Sequence, residues 1–414
     1  MYKKFREKYN SIPSQYFFKE REIQNSFISD LFNTLFLIYY YDISEKRIPK
    51  TANIVNIEVD NLSTFQNLKV RIEKLTNFMS DEKWNINFIK KEKQEIITNK
   101  KLFSTPENKF EVISLLSGGL DSFTGIFYNK NKKTKFVGYR INDLESKSQK
   151  QLKEFIKIQD NGSEFILYEL KNPEKKEIYT QRTRSLFFFG LGIVEAYFSD
   201  LNKVNIYENG IMSLNIPVNH TRITTKTTHP KTLFLLNSIL EALNIDIKIE
   251  NTCINKTKAE MVADLTPEYI EQIKDTMTCG VSRTNPKYQN DKYNHCGACI
   301  PCLLRKITIV ANDLEEKENQ KKPYQIPYNQ SIYSSNENLR KNFLFKEYKS
   351  GIIYFIELKN AILNGEIENY LSNAPRKYYP DEKSYKERKK MLLKFAIEVE
   401  YFFQRYPEIL KKEE

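Results

Sequence analysis

The segment Val112-Ile113-Ser114-Leu115-Leu116-Ser117-Gly118-Gly119-Leu120-Asp121-Ser122 passes from an apolar run into a serine, two glycines and an Asp-Ser pair. The apolar part reads as a strand buried on both faces and ending at Leu116. Leu120, Phe123 and Phe127 then fall at helical, core-facing spacing. Between strand and helix, the glycines let the backbone approach a ligand closely. The helix start supplies free N–H groups and a positive dipole end, which suit a pyrophosphate. Ser117 and Ser122 offer hydroxyls to phosphate oxygens. Asp121 cannot help hold a bare anion, so it implies a cation such as Mg²⁺. No Walker lysine follows, so this is not the phosphate loop of the common NTPases.

Outward from this segment, short apolar strands alternate with amphipathic helices. Strands are expected at 110–116, 135–141, 164–170, 204–207 and 245–249, and helices at 144–159, 181–199 and 231–243. That alternation predicts an α/β unit over residues 109–312, a parallel sheet with helices on both faces. Residues 1–108 form an α/β extension. It has a helix at 23–41, carrying Phe27, Leu31, Leu35 and Ile38, and strands at 54–59 and 84–89. Residues 315–324 read as a polar linker with Lys-Lys-Pro near its end. The region 313–414 is otherwise a helical extension, with Ile352, Phe355, Ile356 and Leu358 in one amphipathic run and Met391, Phe395 and Val399 in another. No internal repeat is evident.

At 414 residues the chain has room for two or three domains of about 150 residues. Its 40% apolar and 13% aromatic content exclude a disordered chain, and five cysteines are too few for a disulfide scaffold. No run of eighteen apolar residues occurs; the nearest, 185–198, is broken by Glu195. The N-terminus lacks the apolar core of a signal peptide, so a soluble cytoplasmic protein is expected. The net charge of +12 is interleaved with Glu and Asp along the chain, so it permits nucleic-acid binding without indicating it. The best basic, aromatic-interleaved stretch holds Lys383, Tyr385, Lys386, Arg388, Lys389 and Lys390, and it reads as a solvated helix face.

Cys279, Cys296, Cys299 and Cys302 form the second signal, separated by 16, 2 and 2 residues. The short gaps place successive thiolates around one tetrahedral ion, and Cys279 closes the set. Four cysteines leave no open position for water, so a structural Zn²⁺ is expected. His295 is read as a bystander, and Cys253 as a small buried apolar side chain.

The string Ser-Gly-Gly-Leu-Asp-Ser resembles the PP-loop of the N-type ATP pyrophosphatases, which release AMP and pyrophosphate. With Cys296-Gly-Ala-Cys299-Ile-Pro-Cys302-Leu-Leu-Arg305, it resembles the 7-cyano-7-deazaguanine synthase (QueC) family over residues 109–312. Thr228-His229-Pro230 is similar to that family's Thr-His-Pro. The stretch 255–261 is similar to its Thr-Lys-Ala-Glu-Ile segment, and 182–185 stands where it has an Arg-Asn pair. The resemblance implies an adenine nucleotide alpha hydrolase-like fold, with ATP bound by Leu116, Ser117, Gly118, Gly119, Leu120, Asp121 and Ser122. It implies that the carboxylate of 7-carboxy-7-deazaguanine attacks ATP to give an acyl adenylate, and that an amine then displaces AMP. Asp121, Lys258, Arg182 and Arg184 are the residues it makes catalytic, with the choice between the arginines open. Asn209, Gly210 and His229 are those it makes substrate-binding.

Two departures stand out. The family's acidic Asp-x-x-x-Tyr-x-Asp-Cys segment is replaced here by residues 207–217, with Gly210 and Ser213 read as widening the site. About a hundred residues are also added at each end. Long QueC-like proteins of bacterial anti-phage systems, of the QatC and CBASS-operon type, share this shape. That likeness implies transfer of the deazaguanine to a partner protein's amine, with the extensions binding the partner. The alternatives are a plain nitrile synthase using ammonia, and a nucleotide or nucleic-acid sensor with an inactive loop. An oligomer remains open in each case.

Overall fold

The computed structural model describes residues 1–19, 21–45, 51–92, 109–140, 143–171, 182–218, 226–281, 295–319, 324–334, 336–368, 371, 378 and 382–412. In chain order the strands are β1 (Asn53–Val59), β2 (Trp84–Lys90), β3 (Val112–Leu115), β4 (Thr134–Arg140), β5 (Glu164–Glu169), β6 (Lys203–Ile206) and β7 (Lys248–Asn251). β1 and β2 pair in parallel as a separate ribbon. The other five form one all-parallel sheet in the order β5-β4-β3-β6-β7.

The helices preceding that sheet are α1 (Tyr2–Tyr9), α2 (Pro13–Phe17), α3 (Ser26–Ser44) and α4 (Leu62–Ser80). Within and just after it come α5 (Leu120–Tyr128), α6 (Asp143–Ile158), α7 (Arg184–Phe198), α8 (Gly210–Leu214), α9 (Pro230–Ala242), α10 (Lys258–Ala263) and α11 (Pro267–Ile270). The chain closes with α12 (Ile300–Val310), α13 (Glu315–Asn319), α14 (Glu337–Lys341), α15 (Phe343–Leu363) and α16 (Glu382–Arg405).

The expected parallel α/β sheet is present, and most elements lie within three residues of their expected bounds. Ile141 and Gln181 lie outside the described residues. β7 starts three residues later than expected. Ile245 and Ile247 instead form the turn after α9: Asn244 takes φ 52° and the Ile245 N–H bonds the Leu240 carbonyl. Their apolar side chains are buried without joining the ladder.

The sheet separates two hydrophobic cores. On one face α7 and α9 pack with α1, α3, α4 and the β1–β2 ribbon. On the other, α5 and α6 pack with α12, α15 and α16. Parallel strands need such double cover, and β3 and β4 are buried along nearly their whole length, while β5, β6 and β7 expose Glu164, Lys203 and Lys248 at their starts. Glu195, which interrupts the apolar run of α7, is fully buried. Its carboxylate takes hydrogen bonds from Lys135 of β4 at 3.0 Å, from Arg21 and from Tyr168, tying the chain preceding α3 to the sheet.

The expected linker at 315–324 is corrected. Residues Glu315–Asn319 are helical, and Glu318 is drawn inward by the fully buried Arg305 guanidinium. The Tyr324 and Tyr328 hydroxyls donate to Glu318 at 3.0 and 2.9 Å. A polar composition thus hides a buried ion pair. Residues 320–323 lie outside the described residues.

Candidate functional site

The chain order of the sheet runs outward from β3 to β5, then returns to β6 on the other side of β3. The loops after β3 and β6 therefore diverge and leave a crevice at the carboxyl ends of those strands. Ser117, Gly118 and Gly119 form the first of these loops. Gly118 takes φ +89°, and a Cβ there would lie 3.2 Å from Gln149 Cγ. The Gly118 carbonyl accepts from Ser148 Oγ at 3.0 Å and from the Met277 N–H at 2.9 Å, while Gln149 Nε2 donates to the Ser117 carbonyl at 3.3 Å. Ser117 Oγ and Ser122 Oγ lie 3.1 Å apart across the loop. No side chain caps α5, whose N-cap is Gly119. Leu116 and Leu120 are buried in the core, so only their backbone is available to a ligand.

Asp121, in the first turn of α5, lies against the loop after β6 and the start of α10. Its Oδ2 accepts from Asn209 Nδ2 at 2.9 Å and pairs with Lys258 Nζ at 3.2 Å. Burial alone would raise this carboxyl's pKa. Lys258, with the Glu208 and Asn209 side chains, more than offsets that and holds it below the ordinary aspartate value. The partner cation expected for Asp121 is thus in part supplied by the protein itself. Its other oxygen, Oδ1, is buried without a hydrogen-bond partner among the described residues. Glu208 Oε1 stands 3.4 Å from the same Asn209 nitrogen. Sequence reading passed over Glu208 because it searched this segment for aspartates. The available signal was an acid at the end of the fourth sheet strand, directly before the Asn-Gly turn.

The expected substrate residues fare differently. Asn209 is at the cluster, where its Oδ1 also caps α8 through the Met212 N–H at 3.1 Å. Gly210 does not widen the site. A Cβ there would meet both the Ile254 carbonyl and the Met391 methyl at 2.3 Å, so α16 occupies that space. Ser213 is also fully buried, bonded to Thr228 and Asn251 at 2.9 Å each. His229 is the N-cap of α9: its Nδ1 accepts from the Lys231 N–H at 3.0 Å and its ring packs on Phe78. Burial, helped by Lys226, Lys231 and Arg388, pushes its pKa down to about 4.

The two arginines part company. Arg182 Nη1 donates to the Ser80 carbonyl at the end of α4 at 2.8 Å. Arg184 stands 3.9 Å from Glu145 in α6, the helix whose Ser148 and Gln149 brace the glycine loop. Of the pair, Arg184 is the one linked to the glycine loop, through α6. The basic stretch at 383–390 is not a uniformly solvated face, because Arg388 is buried and Lys389 pairs with Glu368.

All four expected cysteines converge. Cys279, Cys296, Cys299 and Cys302 are buried, and their sulfurs lie within 4.8 Å of one another. The Cys296–Cys302 separation of 3.8 Å matches the ~3.8 Å edge of a tetrahedron with bonds of about 2.3 Å, and it is far too long for a disulfide. Backbone N–H groups of Gly280, Cys296, Ala298 and Cys299 point at these sulfurs at 3.4–3.5 Å. The donor set suits a metal ion such as zinc. Gly297 takes φ +73° in the turn between the second and third ligands, which is why glycine stands there. The Lys306 ammonium, bonded to the Gly297, Ile326 and Pro327 carbonyls at 2.8–3.0 Å, lies beneath the cluster. His295 Nε2 accepts from the Thr278 N–H at 3.2 Å and is not among the ligands. Cys253 is buried against Tyr207 and Met261, and burial pushes its thiol up to about 12.

No helix among the described residues is long and apolar enough to cross a membrane. Comparisons of the chain with family models, with curated proteins and with solved structures return no match.

Proposed function

We propose that this chain is an ATP-dependent, amide-forming enzyme of the PP-loop kind, acting on 7-carboxy-7-deazaguanine as the QueC family does. The observation that carries the reading is the pairing of Asp121 with Lys258 beside an uncapped helix N-terminus at the sheet's switch point. Phosphates bind on the Ser117–Ser122 loop, where backbone N–H groups and the two serine hydroxyls meet them. Lys258 is placed to stabilise charge that develops on the α-phosphate as the substrate carboxylate attacks. Arg184 is the better placed of the two arginines to add to it. The orphaned Asp121 Oδ1, with Glu208, suits a Mg²⁺ ion, which would neutralise phosphate charge when bound. The cysteine cluster takes Zn²⁺ in a structural role, with no position left for water.

The second half-reaction is displacement of AMP by an amine. In the first reading that amine belongs to a partner protein, in an anti-phage setting, as the likeness to the extended QueC-like proteins suggests. One observation favours ammonia instead: the space beside Gly210, on which a wider entrance depended, is filled by Met391. The test is incubation of the full-length protein with ATP, Mg²⁺, 7-carboxy-7-deazaguanine and either ammonium or a candidate partner protein. Released AMP and intact masses are then followed. AMP with a mass-shifted partner supports the first reading, and AMP with an amide or nitrile supports the second. No substrate-dependent AMP under any condition overturns both and leaves the sensor.

A further inference from the structure

The helix α16 presents Glu387, Met391, Lys394 and Glu398 on a single stripe, at spacings of four, three and four residues. Met391 reaches the loop after β6, and the other three reach the segment that leads from β7 into α10. Asn255 Nδ2 donates to Glu387 Oε2 at 2.7 Å. Met391 fills the space over Gly210, next to Asn209. Lys394 pairs with Glu260. Glu398 accepts from the Thr257 hydroxyl, and that hydroxyl in turn accepts from the Glu260 N–H at 3.0 Å. Thr257 and Glu260 form a reciprocal capping box at the start of α10. Lys258, the first residue of that helix, is buried and reaches Asp121.

We propose that Glu398 is a positioning residue for Lys258. Through the Thr257 hydroxyl it locks the first turn of α10, and so fixes where the Lys258 ammonium stands against Asp121. The C-terminal extension is then part of the catalytic machinery. The inference rests on the functional reading above only for its kinetic readout.

The protonation state of Glu398 follows from its surroundings. Burial first, with the neighbouring Glu260, pushes its carboxyl up to about 8, against the opposing pull of the Thr257 hydrogen bond and of Lys394; Glu260 and Lys394 are the charged groups that face it. Uncharged Glu398 accepts the Thr257 hydrogen bond without repelling Glu260.

Two readouts test this on the full-length protein. In lysine footprinting with acetic anhydride, Lys258 should become at least fivefold more reactive in Glu398→Ala and stay protected in Glu398→Gln. Lys135 and Lys306, buried elsewhere, serve as internal controls and should not change. In pyrophosphate release, Glu398→Ala should lower kcat about tenfold at an unchanged KM for ATP. Glu398→Gln keeps an acceptor for the Thr257 hydroxyl and should match the wild type at pH 7. Unaltered Lys258 protection in Glu398→Ala overturns the proposal, as does exposure of all three lysines together, which marks simple unfolding. A Glu398→Gln variant that loses Lys258 protection and kcat as far as Glu398→Ala overturns it too. Should the wild type release no pyrophosphate, the functional reading fails while the footprint still decides the positioning role.

Discussion

Lys258 Nζ lies 3.2 Å from Asp121 Oδ2, with both side chains buried, and so joins the first turn of α5 to the first turn of α10. The two residues stand 137 positions apart in the chain. Their contact binds the loop after the first sheet strand to the loop after the fifth, across the crevice where the sheet reverses direction. A buried ion pair of this kind adds little net stability, since desolvation offsets most of the attraction. Its cost to keep is better explained by chemistry than by folding.

Asp121→Ala should therefore do two things. It should abolish AMP formation, and it should destabilise the fold by ~3–5 kcal/mol because Lys258 is left buried without its counter-charge. The double variant Asp121→Ala/Lys258→Met should regain most of that stability and none of the activity. Urea unfolding midpoints beside AMP assays separate the two effects. A single variant as stable as the wild type would contradict the pair's burial.

The cysteine cluster predicts about one zinc ion per chain, lost in Cys302→Ser, with loss of soluble protein because metal binding contributes folding free energy. Lys306 adds a finer expectation. Four thiolates around a divalent ion carry a net charge of about −2, and Lys306 is the buried amine beneath them, whose charged form burial disfavours, down to about 7, and the cysteines favour. Lys306→Met should release zinc to a chelator at least tenfold faster, while Lys317→Met, on the surface, should not. Elemental analysis and a colorimetric chelator assay measure this.

What sequence made legible was local. The glycine loop and the Cys-x-x-Cys-x-x-Cys turn each lie within a dozen residues, so spacing alone placed them. The strand at 110–116 was readable because a strand covered on both faces is apolar almost throughout, and the edge strand at 164–170 because an apolar run stands between exposed glutamates. The rest depended on distant partners. Glu318 looked like linker until Arg305 was seen to bury it. Nothing in the local sequence singles out Glu398, whose partner Thr257 lies 141 positions away. Gly210 looked like an opening because nothing nearby in sequence announces that Met391, some 180 positions on, fills it. His229 was chosen for a motif, yet its imidazole is spent on capping a helix.

His229 has a pH consequence. Its pKa in the folded chain falls to about 4, against about 6.5 when unfolded. The unfolded chain thus binds the extra proton first, so this contribution to stability is full above pH 6.5. It is lost as pH falls from 6.5 towards 4, by at most about 3 kcal/mol at ~1.4 kcal/mol per unit. His229→Asn keeps a capping acceptor and should flatten the stability profile in that window, measured by thermal melts between pH 4 and 7. An unchanged profile would mean that the imidazole is free to ionise.

The last expectation concerns the C-terminal extension. Were it an appended docking module, its removal would leave an active core. The packing argues otherwise. Met391, Leu392, Phe395, Ala396, Val399 and Phe402 of α16 are each 1% exposed or less, in the same core as the metal-site helix α12. At ~1.5–3 kcal/mol for each of the five large apolar side chains, losing them removes about 7–15 kcal/mol, as much as the ~5–15 kcal/mol by which a protein is usually stable. Deleting residues 382–414 should therefore give insoluble protein with little zinc, rather than a core that adenylates but fails to transfer. A milder change separates docking from folding. Leu393→Ser, Ile397→Ser and Tyr401→Ser alter exposed side chains of the same helix, 41%, 67% and 38% accessible. They should leave melting temperature and AMP formation within error of the wild type. If transfer to a partner protein falls in the triple variant while AMP formation holds, the outer face of α16 binds the acceptor. If the truncated chain proves soluble, zinc-loaded and active, the shared core has been misjudged and the extension is an independent module.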